Sequence, residues 1–124
     1  MRYEKGDVVV VKFPFLLKEG HEARKGRPAL VVNNLEIRRR YNDIVLAAIT
    51  SQIPPEIMEM EIVLEPENST GLIKKSLLRL DFIMTIPEEL ISRRIGIISG
   101  QVMKIVDDRL KRLFGLRCEL TNWD

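Results

Sequence analysis

The sequence predicts a mainly β domain: a small, strongly curved antiparallel sheet or β-barrel closed by one C-terminal helix. Three observations carry that prediction. Short apolar runs recur between turn signals, VVVV at 8–11, ALVV at 29–32 and IVLAAI at 44–49. A later stretch, LLRLDFI at 77–83, alternates apolar with polar residues at the strand period. Only residues 101–114 show helical spacing, with Val102, Val106, Leu110 and Leu113 four, four and three apart.

Each element has local reasons. Four valines in a row at 8–11 require burial on both faces, or a closed sheet. Pro14 ends that strand, because it has no N–H to give a ladder. A polar loop follows at 16–27, and long loops are often functional. The second strand, 29–32, stops at the turn pair Asn33-Asn34, and Arg38 to Asp43 make a charged connection. The third strand, 44–49, runs into Thr50-Ser51-Gln52 before Pro54-Pro55. A more exposed strand is expected at 60–64 and a turn at 66–71. Alternation at 77–83 puts Arg79 and Asp81 on one face, with Leu78, Leu80 and Phe82 on the other. Pro87 with Glu88 and Glu89 suits one helical turn, and 95–98 a short strand. For the helix, Ser99 is the N-cap, Lys111 and Arg112 favour the C-terminal end, and Gly115 is the stop.

Composition narrows the function. At 124 residues the chain is expected to hold one domain at 1–116, with a C-terminal tail at 117–124. Its 45% hydrophobic and 31% charged content is that of a globular protein. No apolar run is long enough to span a bilayer, and the N-terminal stretch has no signal-peptide core, so a cytoplasmic location is expected. Cys118 has no partner for an internal disulfide, and one cysteine with one histidine makes no metal cluster, so neither metal nor cofactor is expected. The net charge of +2 is small, but its distribution is uneven. Cations gather at Arg24, Lys25 and Arg27, at Arg38 to Arg40, at Lys74, Lys75 and Arg79, and at Arg93 and Arg94. Acids gather at Glu56, Glu59, Glu61, Glu65 and Glu67. Such segregation can build a basic face on a nearly neutral chain.

The stretch 21–33, HEARKGRPALVVN, brings a histidine, a carboxylate and three cations to the entrance of a core strand. Alone it reads equally as a solvated turn. The ordered set of segments adds more: GDVVVVKFPF at 6–15, RPALVVNN at 27–34, AAITSQ at 47–52, Arg79-Leu80-Asp81 after Gly71-Leu72, and IGIISGQVMKIVDDRLKRLFGL at 95–116. Together these resemble the MazF/PemK (Kid) family of toxin endoribonucleases over about residues 5–116. The resemblance implies an SH3-like barrel of the MazF/PemK/CcdB type. It also implies a homodimer, metal-independent cleavage of single-stranded RNA, and a cognate acidic antitoxin as partner.

Residue by residue, Arg27 falls on the arginine of the family's RP motif and Thr50 on its threonine. Ser51 and Gln52 follow as in many members. Arg79 and Asp81 match the Arg–x–Asp of the PemK/Kid branch, and Gly20-His21-Glu22 resembles the segment of that branch whose histidine lies at the active site. One departure stands out. Many members have glutamine and arginine after the aspartate, whereas this chain has Phe82, Ile83 and Met84 before Thr85.

Metal-free cleavage uses the substrate's 2′-OH as nucleophile and leaves a 2′,3′-cyclic phosphate and a 5′-OH. It needs a base, an acid, and donors for the charge on the phosphorane. Arg27 suits the donor role, since its planar fork matches phosphate oxygens, and it is ill suited to shuttle a proton. Thr50 is a second donor. Asp81 is the candidate base beside Arg79, and His21 can serve as base or acid near neutrality. Ser51, Gln52, Arg79, Lys25 and Arg24 are the expected substrate contacts. The competing expectation is a non-catalytic member of the fold: a gyrase poison of the CcdB type, or a degenerate protein that binds RNA or antitoxin without cutting.

Overall fold

The computed structural model describes residues 3–12 and 26–116. They form β1 (Asp7–Lys12), β2 (Gly26–Val31), β3 (Asp43–Thr50), β4 (Glu61–Leu64), β5 (Ser76–Pro87), β6 (Ile91–Ile97) and the helix α1 (Gly100–Leu113). A short 3-10 turn, Glu88–Leu90, joins β5 to β6. The strands make one antiparallel sheet in the order β4-β5-β3-β2-β1-β6.

The continuous apolar runs of β1 to β3 are explained by burial on both faces. One face packs against α1: Val8, Leu30, Ile49, Leu78 and Leu80 meet Val106, with Val102, Met103 and Leu110 beside it. The opposite face gathers Val9, Val11, Ala29, Val31, Ile44, Leu46, Ile86 and Ile91. Each fully buried Leu or Val contributes about 1.5–3 kcal/mol relative to exposure, so both faces matter to stability.

The helix ends as its residues dictate. Ser99 Oγ accepts the Val102 N–H at 3.2 Å. At the other end Gly115 takes φ +71°, its N–H reaching Arg112 O at 3.1 Å and the Leu116 N–H reaching Lys111 O at 2.8 Å. These two bonds and the left-handed glycine make a Schellman stop. Arg109 ties α1 to the start of β4, donating to Glu59 O at 2.7 Å.

The expected barrel is present but loosely closed. No ladder joins the edge strands β4 and β6. Instead the turn after β4 folds across, and the Ile97 N–H donates to Ser69 O at 2.8 Å. Two glycines permit this approach. A Cβ on Gly71 would lie 2.3 Å from Ile95 O, and one on Gly96 would lie 2.3 Å from the Thr70 carbonyl carbon.

Several boundaries differ from the sequence expectation. β2 begins at Gly26, so Arg27 and Pro28 lie inside the strand, not in a loop before it. From Pro28 backward β2 pairs only with β1, and an unpaired flank is where proline is tolerated. β5 runs on to Pro87, and β6 starts at Ile91 as an edge strand on β1.

The largest correction concerns Phe82. Ala47 pairs with Ile83 but Ala48 pairs with Arg79, so Leu80, Asp81 and Phe82 form a bulge. Leu80 stays fully buried, and its N–H turns to Met60 O at 2.8 Å. Phe82 is released to the surface, 46% exposed, rather than sharing the core face with Leu78 and Leu80. Bulges commonly re-aim side chains in this way.

Candidate functional site

The sheet face opposite α1 does not end with its apolar cluster. Past Ala29 and Ala48, which pair across β2 and β3, it opens into a cavity of about 500 Å³. The polar groups lining it are Thr50, Gln52, Glu61 and Arg79. Ala48, Leu77, Phe82 and the Ile53-Pro54 segment supply the apolar walls. Register explains the grouping: Thr50 pairs with Leu77, Ala48 with Arg79, and Arg79 with Glu61, so all these residues share one face of three strands.

Thr50, the last residue of β3, is half-buried. Its Oγ1 accepts the Gln52 N–H at 3.0 Å. A hydroxyl holding an acceptor bond still has its own proton to donate, so Thr50 is a hydrogen-bond donor on a braced turn. Ser51 is exposed at the same turn.

Arg79 is held on two sides. Asp81 accepts two bonds from it, Nε to Oδ1 at 3.2 Å and Nη2 to Oδ2 at 3.3 Å. Its guanidinium carbon also lies 5.3 Å from the centre of the Phe82 ring, a cation–π contact. Alternate strand positions already put Arg79 and Asp81 on one side, and the bulge then adds Phe82 to them. Both charged side chains keep about two-fifths of their surface in water, 38% and 41%. Their pairing alone therefore adds little stability.

Arg27 is exposed on β2 and does not line the cavity wall. It lies on the same face, two residues from Ala29. Carrying the Ala29–Ala48 register on by two residues sets Arg27 across from Thr50, just beyond the last paired residues. Thr50, Gln52 and Arg79 thus meet at one cavity, with Asp81 bound to Arg79 and Arg27 on the neighbouring strand. His21, Arg24 and Lys25 lie outside the described residues. Sequence reasoning missed Glu61 and Phe82. Glu61 was counted only among the segregated acids, and its place opposite Arg79 follows from a β4–β5 register that no spacing in the chain encodes.

Arranged so, the chain is a small antiparallel barrel with a cavity of apolar walls and a few polar groups on the face away from its helix. It belongs to the family described as PemK-like, MazF-like toxin of type II toxin-antitoxin system, whose sequence profile matches residues 4–114. No curated protein sequence matches it. Among solved structures, the "Endoribonuclease in complex with its cognate antitoxin from Mycobacterial species" is similar with a TM-score of 0.72 at 16% identity, covering 94% of this chain and 99% of that one. The Mycobacterium tuberculosis toxin MazF-mt6 gives a TM-score of 0.70 at 20% identity, over 90% of this chain and 99% of that one. A MazE-MazF structure from Deinococcus radiodurans gives 0.70 at 16% identity, over 93% and 97%. The barrel and its closing helix are therefore the MazF fold, as the resemblance implied.

Proposed function

We propose that this type II toxin is a metal-independent endoribonuclease acting on single-stranded RNA in the cytoplasm. The 2′-OH attacks the adjacent phosphorus, the 5′-oxygen leaves, and a 2′,3′-cyclic phosphate and 5′-OH remain. The observation that carries the reading is the meeting of Thr50, Gln52 and Arg79 at one cavity, with Arg27 on the next strand across from Thr50.

Each residue then has a task its chemistry suits. Arg27 clamps the scissile phosphate and offsets the charge of the phosphorane, as a planar bidentate donor. Thr50 donates its free hydroxyl proton to a phosphate oxygen. Asp81 takes the 2′-OH proton. A carboxylate offers about four acceptor directions, so the two bonds from Arg79 leave room for it. His21 is the acid for the leaving oxygen. Arg79, Ser51 and Gln52, with Arg24 and Lys25 just before β2 in the sequence, hold the flanking backbone. The protein works as a homodimer and is silenced by an acidic antitoxin; two similar structures, one with its cognate antitoxin and one of MazE-MazF, support an antitoxin partner.

The test is incubation of the purified protein with mixed-sequence single-stranded RNA in EDTA, followed by end-group analysis. Cleavage with cyclic-phosphate ends is expected, with Arg27→Ala slower by about 10²–10³-fold. No cleavage by the wild type, or equal cleavage by Arg27→Ala, refutes the reading.

A further inference from the structure

The cleavage chemistry leaves unused the cavity's one aromatic ring, Phe82, and its one carboxylate, Glu61. Phe82 presents a ring that is 46% exposed, and the Arg79 guanidinium lies 5.3 Å from its centre. Asp81 accepts two hydrogen bonds from that guanidinium, which orients the cation beside the ring so that the two form one wall. Glu61 stands opposite Arg79 in the β4–β5 register, yet Arg79 pairs with Asp81 on its own strand. Among the described residues no cation lies within ion-pair distance of the Glu61 carboxylate. Its Oε1 accepts the Met58 N–H at 2.8 Å, which orients the group and leaves further acceptor directions unspent.

An ionised carboxylate only accepts hydrogen bonds, so whatever meets Glu61 must bring N–H or O–H donors. The apolar walls at Ala48, Leu77 and Ile53-Pro54 suit a flat, weakly polar body. The cavity volume of about 500 Å³ is in the range of small-ligand sites. A flat body with donors on its edge is a nucleobase. Single-stranded RNA is commonly read by bases splayed onto aromatic rings or arginine planes and bonded along their Watson–Crick edges.

We infer that this cavity takes one unstacked base of the RNA strand, stacked on the Phe82–Arg79 wall and read at its edge by Glu61. The inference rests on single-stranded RNA being the ligand. Stacking tolerates every base, so selection falls to Glu61. Guanine presents two adjacent N–H groups and matches the two carboxylate oxygens best. Adenine and cytosine present one amino group. Uracil presents a single N–H between two carbonyl oxygens, which face the carboxylate with like partial charge. The order of preference is guanine, then adenine and cytosine, then uracil. Phe82, a departure from the family's usual glutamine, is in this reading a stacking surface.

The experiment uses the full chain and 2′-O-methyl RNA hexamers, which lack the attacking hydroxyl, differing at one position. Fluorescence anisotropy reads binding. Guanine at that position is expected to bind best and uracil worst. Phe82→Ala weakens every hexamer about tenfold, whereas Phe82→Trp retains binding. Glu61→Gln, whose amide both donates and accepts, flattens the preference and admits uracil. Equal affinities and an unchanged order in wild type, Phe82→Ala and Glu61→Gln overturn the inference. Sequencing of cut sites on mixed RNA separates it from the proposed activity. Cutting with the same site profile in all three proteins refutes the base pocket alone. Pocket-dependent binding without any cutting refutes the enzyme and leaves the pocket standing.

Discussion

Replacing Thr50 by valine keeps the side chain's shape and removes only its hydroxyl. In the fold that hydroxyl accepts the Gln52 N–H at 3.0 Å. Gln52 is exposed, so water replaces the lost partner and the cost falls at the low end of the usual net value of about 0.5–1.5 kcal/mol. Valine's preference for strands offsets part of it. A loss of 1 kcal/mol lowers Tm by roughly 2–8 °C for domains near this size, so the melting point should fall by only a few degrees. The effect on cleavage is of another order. The Gln52 N–H occupies the acceptor side of Oγ1, and in the proposed cleavage the hydroxyl proton goes to a phosphate oxygen. Removing one preorganised donor of that kind costs about 2.7–4 kcal/mol in the transition state, or about 10²–10³ in rate. Thr50→Ser retains donor and turn bond alike and should stay near the wild type. Single-turnover cleavage of single-stranded RNA in EDTA, run beside a thermal melt, measures both effects. If Thr50→Val cuts within about threefold of wild type, the hydroxyl is no transition-state donor. If Thr50→Ser is as slow as Thr50→Val, the defect belongs to side-chain shape.

Two other substitutions test other links in the chain of reasoning. Gly96→Ala places a Cβ 2.3 Å from the Thr70 carbonyl carbon and 2.4 Å from Ser69 O, both backbone atoms that cannot swing away. Urea unfolding should show a loss of about 2–3 kcal/mol, and wild-type stability would mean the barrel is not closed at that point. Asp81→Asn removes the charge from an ion pair that is about two-fifths exposed, so stability should change by less than about 1 kcal/mol. Cleavage should nonetheless fall by about 10²-fold or more if Asp81 takes the 2′-OH proton, and unchanged cleavage would remove it from the chemistry.

The sequence is most legible where one neighbour decides the structure. β1, β3 and α1 lie within a residue or two of their expected positions, because burial on both faces leaves continuous apolar runs and one helical stripe. β6 was harder, since Ser92, Arg93 and Arg94 of an edge strand are exposed and show no alternation. β2 hid its first residues because Pro28 argues against a strand unless one flank is already unpaired. The candidate site divides the same way. Thr50, Gln52 and Arg79 could be named from local segments, and they do share a cavity. Glu61 could not, because its relation to Arg79 is a register between strands that are separate in sequence.

Phe82 shows why period-two reading fails where it matters most. Strict alternation would send Phe82 after Leu78 and Leu80 into the cluster beneath α1, where Leu80 and Val106 are already fully buried. A close-packed interior has no spare volume for an aromatic ring there. The register shift between Ala47 and Ala48 resolves the conflict by leaving Leu80 anchored through Met60 O and turning Asp81 and Phe82 outward. Core and cavity are therefore set by consecutive residues of one bulge. The residue that fixes its position, Leu80, belongs to the hydrophobic core, so the geometry of Arg79, Asp81 and Phe82 is only as rigid as the packing under the helix.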